Sequence, residues 1–373
     1  LKGKRRRALD STLLDDAVAT QDTVTQLVSA IRRVRRLVPE AAAVSVTAHD
    51  YDASGKPVCA WDDPDAKAAL VSGLVNDARA IIDALDGIEL DDLQGDAVGL
   101  LALVAGQDVE PGDDEGTWRI AQRVAPDRVI STVDPESRHM HKSRSVYRDG
   151  YKAHVAVEPD TGLITATALT PANAGDGPTG VELLAGEERG LQVLADSAYG
   201  SGPVRSALAE AGHSAAIKAI PLRRNPKLGS DQFTRDDFVI DHLARTATCP
   251  GGHTVPISAK SGASFKSRCR GCPLRSRCTS AVDGRHLDLT AHDHELVAAR
   301  QAWANGDFAD DYRQHRPMVE RSIAWLVAKG NRRVRYRGVE RNQHGLATRV
   351  AAINLRRLVN LGLHRTETGW SLA

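Results

Sequence analysis

Aromatic side chains are scarce in this chain, at 4% of 373 residues, so any core has to be built largely from aliphatic ones. A content of 42% hydrophobic and 26% charged residues is that of an ordinary soluble protein, long enough for one or two domains. No apolar run approaches the roughly 20 residues of a membrane-spanning helix, and no signal-peptide pattern opens the chain. A cytoplasmic location without a membrane partner is the expectation. Excess charge of one sign is also missing. The formal net charge is +1, which by itself argues nothing about nucleic acid. An initiator methionine and an internal repeat are absent too. The chain opens on Leu1 and the basic run Lys2-Gly3-Lys4-Arg5-Arg6-Arg7, which reads as a fragment, a truncated frame or a non-standard start.

What is present is unevenly distributed. Acids dominate Glu89 to Glu115, whereas Arg313 to Arg365 is rich in arginine and lysine, including Arg316, Arg321, Lys329, Arg332 and Arg333. Such clustering suits contact with a DNA backbone. Apolar periodicity divides the rest. A short strand spans Arg7–Leu14, and helices are expected over Val24–Leu37, Ala66–Leu85 and Asp96–Val104. Period-two alternation over Tyr151–Val157, a turn at Asp160-Thr161-Gly162 and the run Leu163–Leu169 read as a hairpin. Further strands are expected at Leu191–Ala195 and Ala215–Ile220, with helices at Gly177–Glu188 and Val204–Ala211. Pro221 to His292 reads as loop-rich, and long helices are expected over Asp310–Lys329 and Leu346–Leu361.

Two acids stand where strands place chemistry. Asp196 directly follows Leu191–Ala195, and Asp10 lies within its own short strand. Glu320 sits on a helix whose apolar face is Val319, Ile323, Ala324 and Leu326. Two Asp and one Glu would form an all-oxygen site suited to Mg²⁺ or Mn²⁺. Two such ions about 3.5–4 Å apart activate a nucleophile and stabilise the leaving oxygen of an in-line phosphoryl transfer. Four of the five cysteines, Cys249, Cys269, Cys272 and Cys278, fall in the loop-rich stretch. Their C-x-x-C knuckle and spacing point to structural Zn²⁺, as Cys₄ or with His253 replacing one thiolate. Cys59 stands apart.

Four runs then resemble one family in its order. Leu9-Asp10-Ser11-Thr12-Leu13-Leu14 and the residues through Asp22 resemble the first-Asp motif of bacterial insertion-sequence DDE transposases. Asp149-Gly150-Tyr151-Lys152-Ala153-His154-Val155 resembles the strand that follows. Ala195-Asp196-Ser197-Ala198-Tyr199-Gly200 resembles the second-Asp motif, and Tyr312 to Arg321 the glutamate helix. The resemblance implies an α/β, RNase H-like fold, a mixed sheet flanked by helices. A helical insert would follow the first strand and a Cys-rich insert would precede the Glu helix. The corresponding divisions are 1–20, first strand region; 21–125, helical insert; 126–220, core strands and helices; 221–292, Cys-rich insert; and 293–373, Glu helix and basic C-terminal helices. It further implies that Asp10, Asp196 and Glu320 hold two Mg²⁺ or Mn²⁺ ions to cleave DNA and transfer strands at element ends. Partners would be double-stranded inverted repeats and target DNA, bound by an active homodimer at the nucleoid. Arg316 keeps its usual place four residues before Glu320, while Tyr312 is one position off and Lys329 two beyond. Only nine residues precede Asp10, where relatives carry a helical DNA-binding region, so an N-terminal truncation is expected. A DNA-binding remnant without catalysis and an RNase H-fold nuclease without strand joining are the alternatives.

Overall fold

The computed structural model of the protein describes residues 5–123, 125–141 and 147–372; the opening of the basic run, residues 1–4, lies outside them. The first strand, β1 (Arg6–Asp15), leads into α1 (Thr23–Leu37). Asp22 starts that helix by accepting the Thr25 N–H at 2.8 Å, and Leu27, Ile31 and Val34 form its buried stripe. The helix ends at Leu37, with Val38 as its cap. Pro39 occupies the first turn of a short α2 (Pro39–Ala43), where a missing N–H costs nothing. The helices α3 (Pro64–Ala84) and α4 (Asp92–Gln107) follow. Asp91 and Gln94 form a reciprocal cap that carries α4 four residues further upstream than its apolar periodicity suggests.

A two-stranded ribbon, β2 (Val109–Pro111) and β3 (Trp118–Ile120), closes this part. Next come β4 (Arg138–His141), β5 (Tyr147–Val157), β6 (Ile164–Pro171) and α5 (Asp176–Glu182), then β7 (Gln192–Ala195), α6 (Gly202–Glu210) and β8 (Ser214–Ile217). The stretch expected to be loop-rich carries five minimal strands, β9 (Val239–Asp241), β10 (Thr246–Thr248), β11 (Thr254–Pro256), β12 (Gly262–Ser264) and β13 (His286–Asp288), with a single turn, α7 (Arg275–Cys278), before the last. The helices α8 (Asp293–Asn305), α9 (Ala309–His315), α10 (Pro317–Val327) and α11 (Val339–Asn360) precede a terminal ribbon, β14 (His364–Thr366) and β15 (Gly369–Ser371). The single helix expected over Asp310–Lys329 is two helices. Pro317 has no N–H to donate into the preceding turn, so α9 stops and α10 starts afresh.

The mixed sheet contributes strands to two compact units. The first unit comprises Leu1–Asp10, Val155–Ala166 and Gly175–Ser322. In it the opening half of β1 lies between β5 and β7, and β8 flanks β7. β1 runs parallel to β7, with Ala8 opposite Leu194, and β7 runs parallel to β8. Leu9, Leu191, Val193, Tyr199, Leu208 and Ile217 are buried together here. Removing each aliphatic side chain of this cluster from water contributes about 1.5–3 kcal/mol. Gly180 lets α5 approach: a Cβ there would stand 2.6 Å from the Tyr199 ring. The minimal strands have a separate small core, around Phe238, Ala247, Phe265 and Leu287.

The second unit comprises Ser11–His154, Thr167–Ala174 and Ile323–Ala373. Its helical part packs Leu27, Ile31, Leu74, Ile81, Leu101 and Val104. One buried carboxylate organises the connection into α3. Asp77 accepts the N–H groups of Thr47 and Ala48, each at 2.9 Å, and the Tyr51 hydroxyl at 2.8 Å. Elsewhere in this unit β4 and β5 pair antiparallel, and Leu14, Tyr151, Leu169, Leu326 and Leu346 share a core. Gly150 has φ +145°, and a Cβ there would lie 2.2 Å from the Leu14 carbonyl oxygen, so only glycine fits. No helix among the described residues is long and apolar enough to cross a membrane.

Candidate active site

The three acids singled out in the sequence all belong to the first unit. Asp10 lies at the middle of β1, and Asp196 immediately follows the last residue of β7. Asp196 retains an extended backbone, φ −76° and ψ −179°, so the strand's geometry carries through it. The parallel register pairs Arg6 with Gln192, Arg7 with Val193 and Ala8 with Leu194; the same offset, continued two residues past that last pair, leads from Asp10 to Asp196. Adjacent strands are about 4.8 Å apart, and side chains at one level of a parallel pair leave the sheet on the same face. Asp196 also caps the one-turn helix Ser197–Tyr199, accepting the Ala198 N–H at 2.9 Å through Oδ1. That bond fixes the carboxylate's rotamer at the strand end.

Glu320 stands in the first turn of α10, with a side chain 65% exposed. It is joined to Asp10 through Arg316. The guanidinium of Arg316 lies 3.0 Å from Asp10 Oδ2 through Nη2 and 3.4 Å from Glu320 Oε1 through Nη1. Its side chain is 5% exposed, and that of Asp10 is 18% exposed. Burial raises the pKa of the Tyr312 phenol; Arg316 opposes the rise, and Asp196, Glu320 and Asp10 each add to it. One hydroxyl thus feels all three carboxylates and the guanidinium between two of them. Around this centre Arg6 pairs with Asp311 at 2.9 Å, and His315 lies 3.3 Å from Asp160.

This donor set is chemically right for a hard cation: carboxylate oxygens from two neighbouring strands and one helix. Among the described residues, however, no group of three or more His, Cys, Asp or Glu side chains is placed so that it could hold a metal ion, neither the three acids nor the four clustered cysteines. The positive charge of Arg316 lies between Asp10 and Glu320. Its inward pairing is a feature that sequence reasoning missed. The spacing of four from Glu320 signalled the helical pair, but nothing local signalled Asp10.

The other basic residues grouped with Arg316 have different surroundings. Arg321 is exposed in the first unit, and Lys329 is exposed in the second. Arg332 donates to the Leu13 carbonyl at 2.8 Å, and Arg333 donates to the Asp16 carbonyl at 3.2 Å. Both therefore hold the far end of β1 as well as carrying charge. His154, in a buried strand, pairs with Thr170 at 3.0 Å.

In the first unit, Cys249, Cys269, Cys272 and Cys278 line one small cavity, together with His253. Burial pushes the Cys278 thiol up, Arg285 pulls it down, and the other three cysteines add to the rise. None of the five cysteines is in a disulfide, and Cys59 lies in the other unit.

No curated protein matches the chain. Residues 248–359, which hold Arg316, Glu320 and all four clustered cysteines but neither Asp10 nor Asp196, match the family model described as the transposase DDE domain, and this match supports a DDE transposase.

Proposed function

We propose that the chain cleaves DNA at the ends of an insertion sequence and transfers the freed strand to a target, using Asp10, Asp196 and Glu320. The family implies a nuclease or transferase in general; what supports the finer reading is the parallel register of β1 and β7, whose offset leads from Asp10 to Asp196, and the ion pairs of Arg316 with Asp10 and Glu320. On this reading the sheet is RNase H-like, residues 21–125 and 221–292 are inserts, and DNA is the partner of an active homodimer at the nucleoid.

Two Mg²⁺ or Mn²⁺ ions, when bound, supply the charge that activates an attacking oxygen and stabilises the leaving one. The protein's own contribution is placement. Asp196 is held by its backbone bond, Asp10 by the strand, and Glu320 is presented by a helix that is free on its solvent side. Arg316 pairs with both Asp10 and Glu320, and a cation held by those acids would leave its guanidinium available to a phosphate. Arg321, Lys329, Arg332 and Arg333 supply further charge for the DNA backbone.

The test uses a supercoiled plasmid carrying both DNA flanks of this reading frame. Mn²⁺-dependent nicking and joining are expected with the unsubstituted chain and with Ser197→Ala, and neither with Asp196→Ala. Nicking that survives Asp196→Ala overturns the assignment, and nicking without joining removes its transfer half.

A further inference from the structure

The acidic site makes no use of the four clustered cysteines, and they form a second centre. We propose that Cys249, Cys269, Cys272 and Cys278 bind one structural Zn²⁺ as a four-thiolate site. Their shared cavity measures about 20 Å³, room for one water-sized particle. Two tight turns present the sulfurs. In the first, Gly252 donates to the Cys249 carbonyl at 2.9 Å; in the second, Cys272 donates to the Cys269 carbonyl at 3.4 Å. Both turns use a left-handed glycine, Gly252 at φ +77° and Gly271 at φ +80°. The turns face each other across Gly251, whose Cβ, if present, would lie 3.7 Å from the sulfurs of both Cys249 and Cys272. A backbone N–H already serves the centre, since Arg285 donates to Cys269 Sγ at 3.3 Å. Such a bond stabilises a thiolate and orients it.

Charge and stability both favour a metal. Four thiolates around Zn²⁺ leave a net charge of about −2, and the guanidinium-bearing Arg268, Arg275 and Arg285 line the same cavity. Binding transfers no electrons: each S–H bond breaks, its proton passes to solvent, and a Zn–S bond of about 2.3 Å forms. As the side chains stand, the four thiols are not in metal-holding geometry, so the ligand set would close only as the ion binds. The surrounding strands are three residues each, too short to hold this region by pairing alone. A metal crosslink between residues 249 and 278 would tie the two turns to one point. His253 is left outside the ligand set because four sulfurs already complete a tetrahedron.

Metal analysis of the purified full chain is expected to give one zinc per chain, retained in Asp196→Ala and His253→Ala and lost in Cys269→Ser/Cys272→Ser. Cobalt(II) exchanged into the unsubstituted protein should show the intense absorption of tetrahedral thiolate ligation. That second measurement needs no variant to fold. Zinc-free protein with four titratable thiols, or with disulfides among them, overturns the proposal. Zinc lost in His253→Ala overturns the four-thiolate set. Retention of zinc in Asp196→Ala keeps the result separate from the fate of the acidic site.

Discussion

Replacing Arg316 by glutamine should weaken the metal-free protein and strengthen its grip on a divalent cation. The pair with Glu320 contributes little, because a carboxylate 65% exposed is well solvated and such pairs are worth about 0–1 kcal/mol. The pair with Asp10 dominates, at 5% and 18% exposure. Breaking a buried pair from one side costs about 3–5 kcal/mol; Asp10 keeps some water, so about 3 kcal/mol is the working figure. A cation that takes the place of the guanidinium must overcome the same pairing. At 1.4 kcal/mol per factor of ten, its removal corresponds to up to about 100-fold tighter binding of Mn²⁺. Calorimetric titration with Mn²⁺ reads the affinity, and thermal melts with and without Mn²⁺ read the stability. The Arg316→Gln melt should lie below that of the parent without metal and approach it at saturating Mn²⁺. Unchanged affinity together with an unchanged metal-free melt would refute the reasoning.

Two other outcomes follow from packing and burial. Gly180→Ala drives a methyl to 2.6 Å from the buried Tyr199 ring; overpacking of this kind costs about 1–3 kcal/mol, read as a lower urea midpoint at unchanged slope. His213 is held below its ordinary value of 6.5, first by burial, with Glu187 opposing and Arg189 and Arg5 assisting. A depressed pKa means that the folded chain binds fewer protons than the unfolded one. Its contribution is therefore complete above pH 6.5 and is lost as pH falls from there through the depressed value. Melting temperature should decline over that window, and His213→Leu should flatten that part of the decline; an identical pH profile in the variant would count against it.

Much of the sheet and most helices were legible because their signals are local. Leu191 to Ala195 is an uninterrupted apolar run, and the stripe of α1 repeats at helical spacing. Boundaries failed where one residue outweighed periodicity. Pro317 splits the helix expected after Asp310, and the Asp91–Gln94 cap extends α4. In the Cys-rich region, three-residue strands are shorter than any periodic signal. α11 starts at Val339, seven residues before the expected start at Leu346; Asn342 holds that first turn by donating to the carbonyls of Tyr336 and Gly338, at 2.7 and 2.9 Å. Among the candidate acids, strand patterning placed Asp10 in β1 and Asp196 directly after β7, and helical spacing linked Arg316 to Glu320. The Asp10–Arg316 pair was out of reach of sequence reasoning because its partners are remote along the chain.

That remoteness bears on synthesis. Asp10 leaves the ribosome about 300 residues ahead of Arg316, which at 5–20 residues per second is a delay of about 15–60 s. During that interval the nascent chain has the first acid but neither the guanidinium that neutralises it nor the helix that brings Glu320. Chains interrupted before Arg316 therefore lack both that residue and Glu320 and cannot assemble the acidic centre.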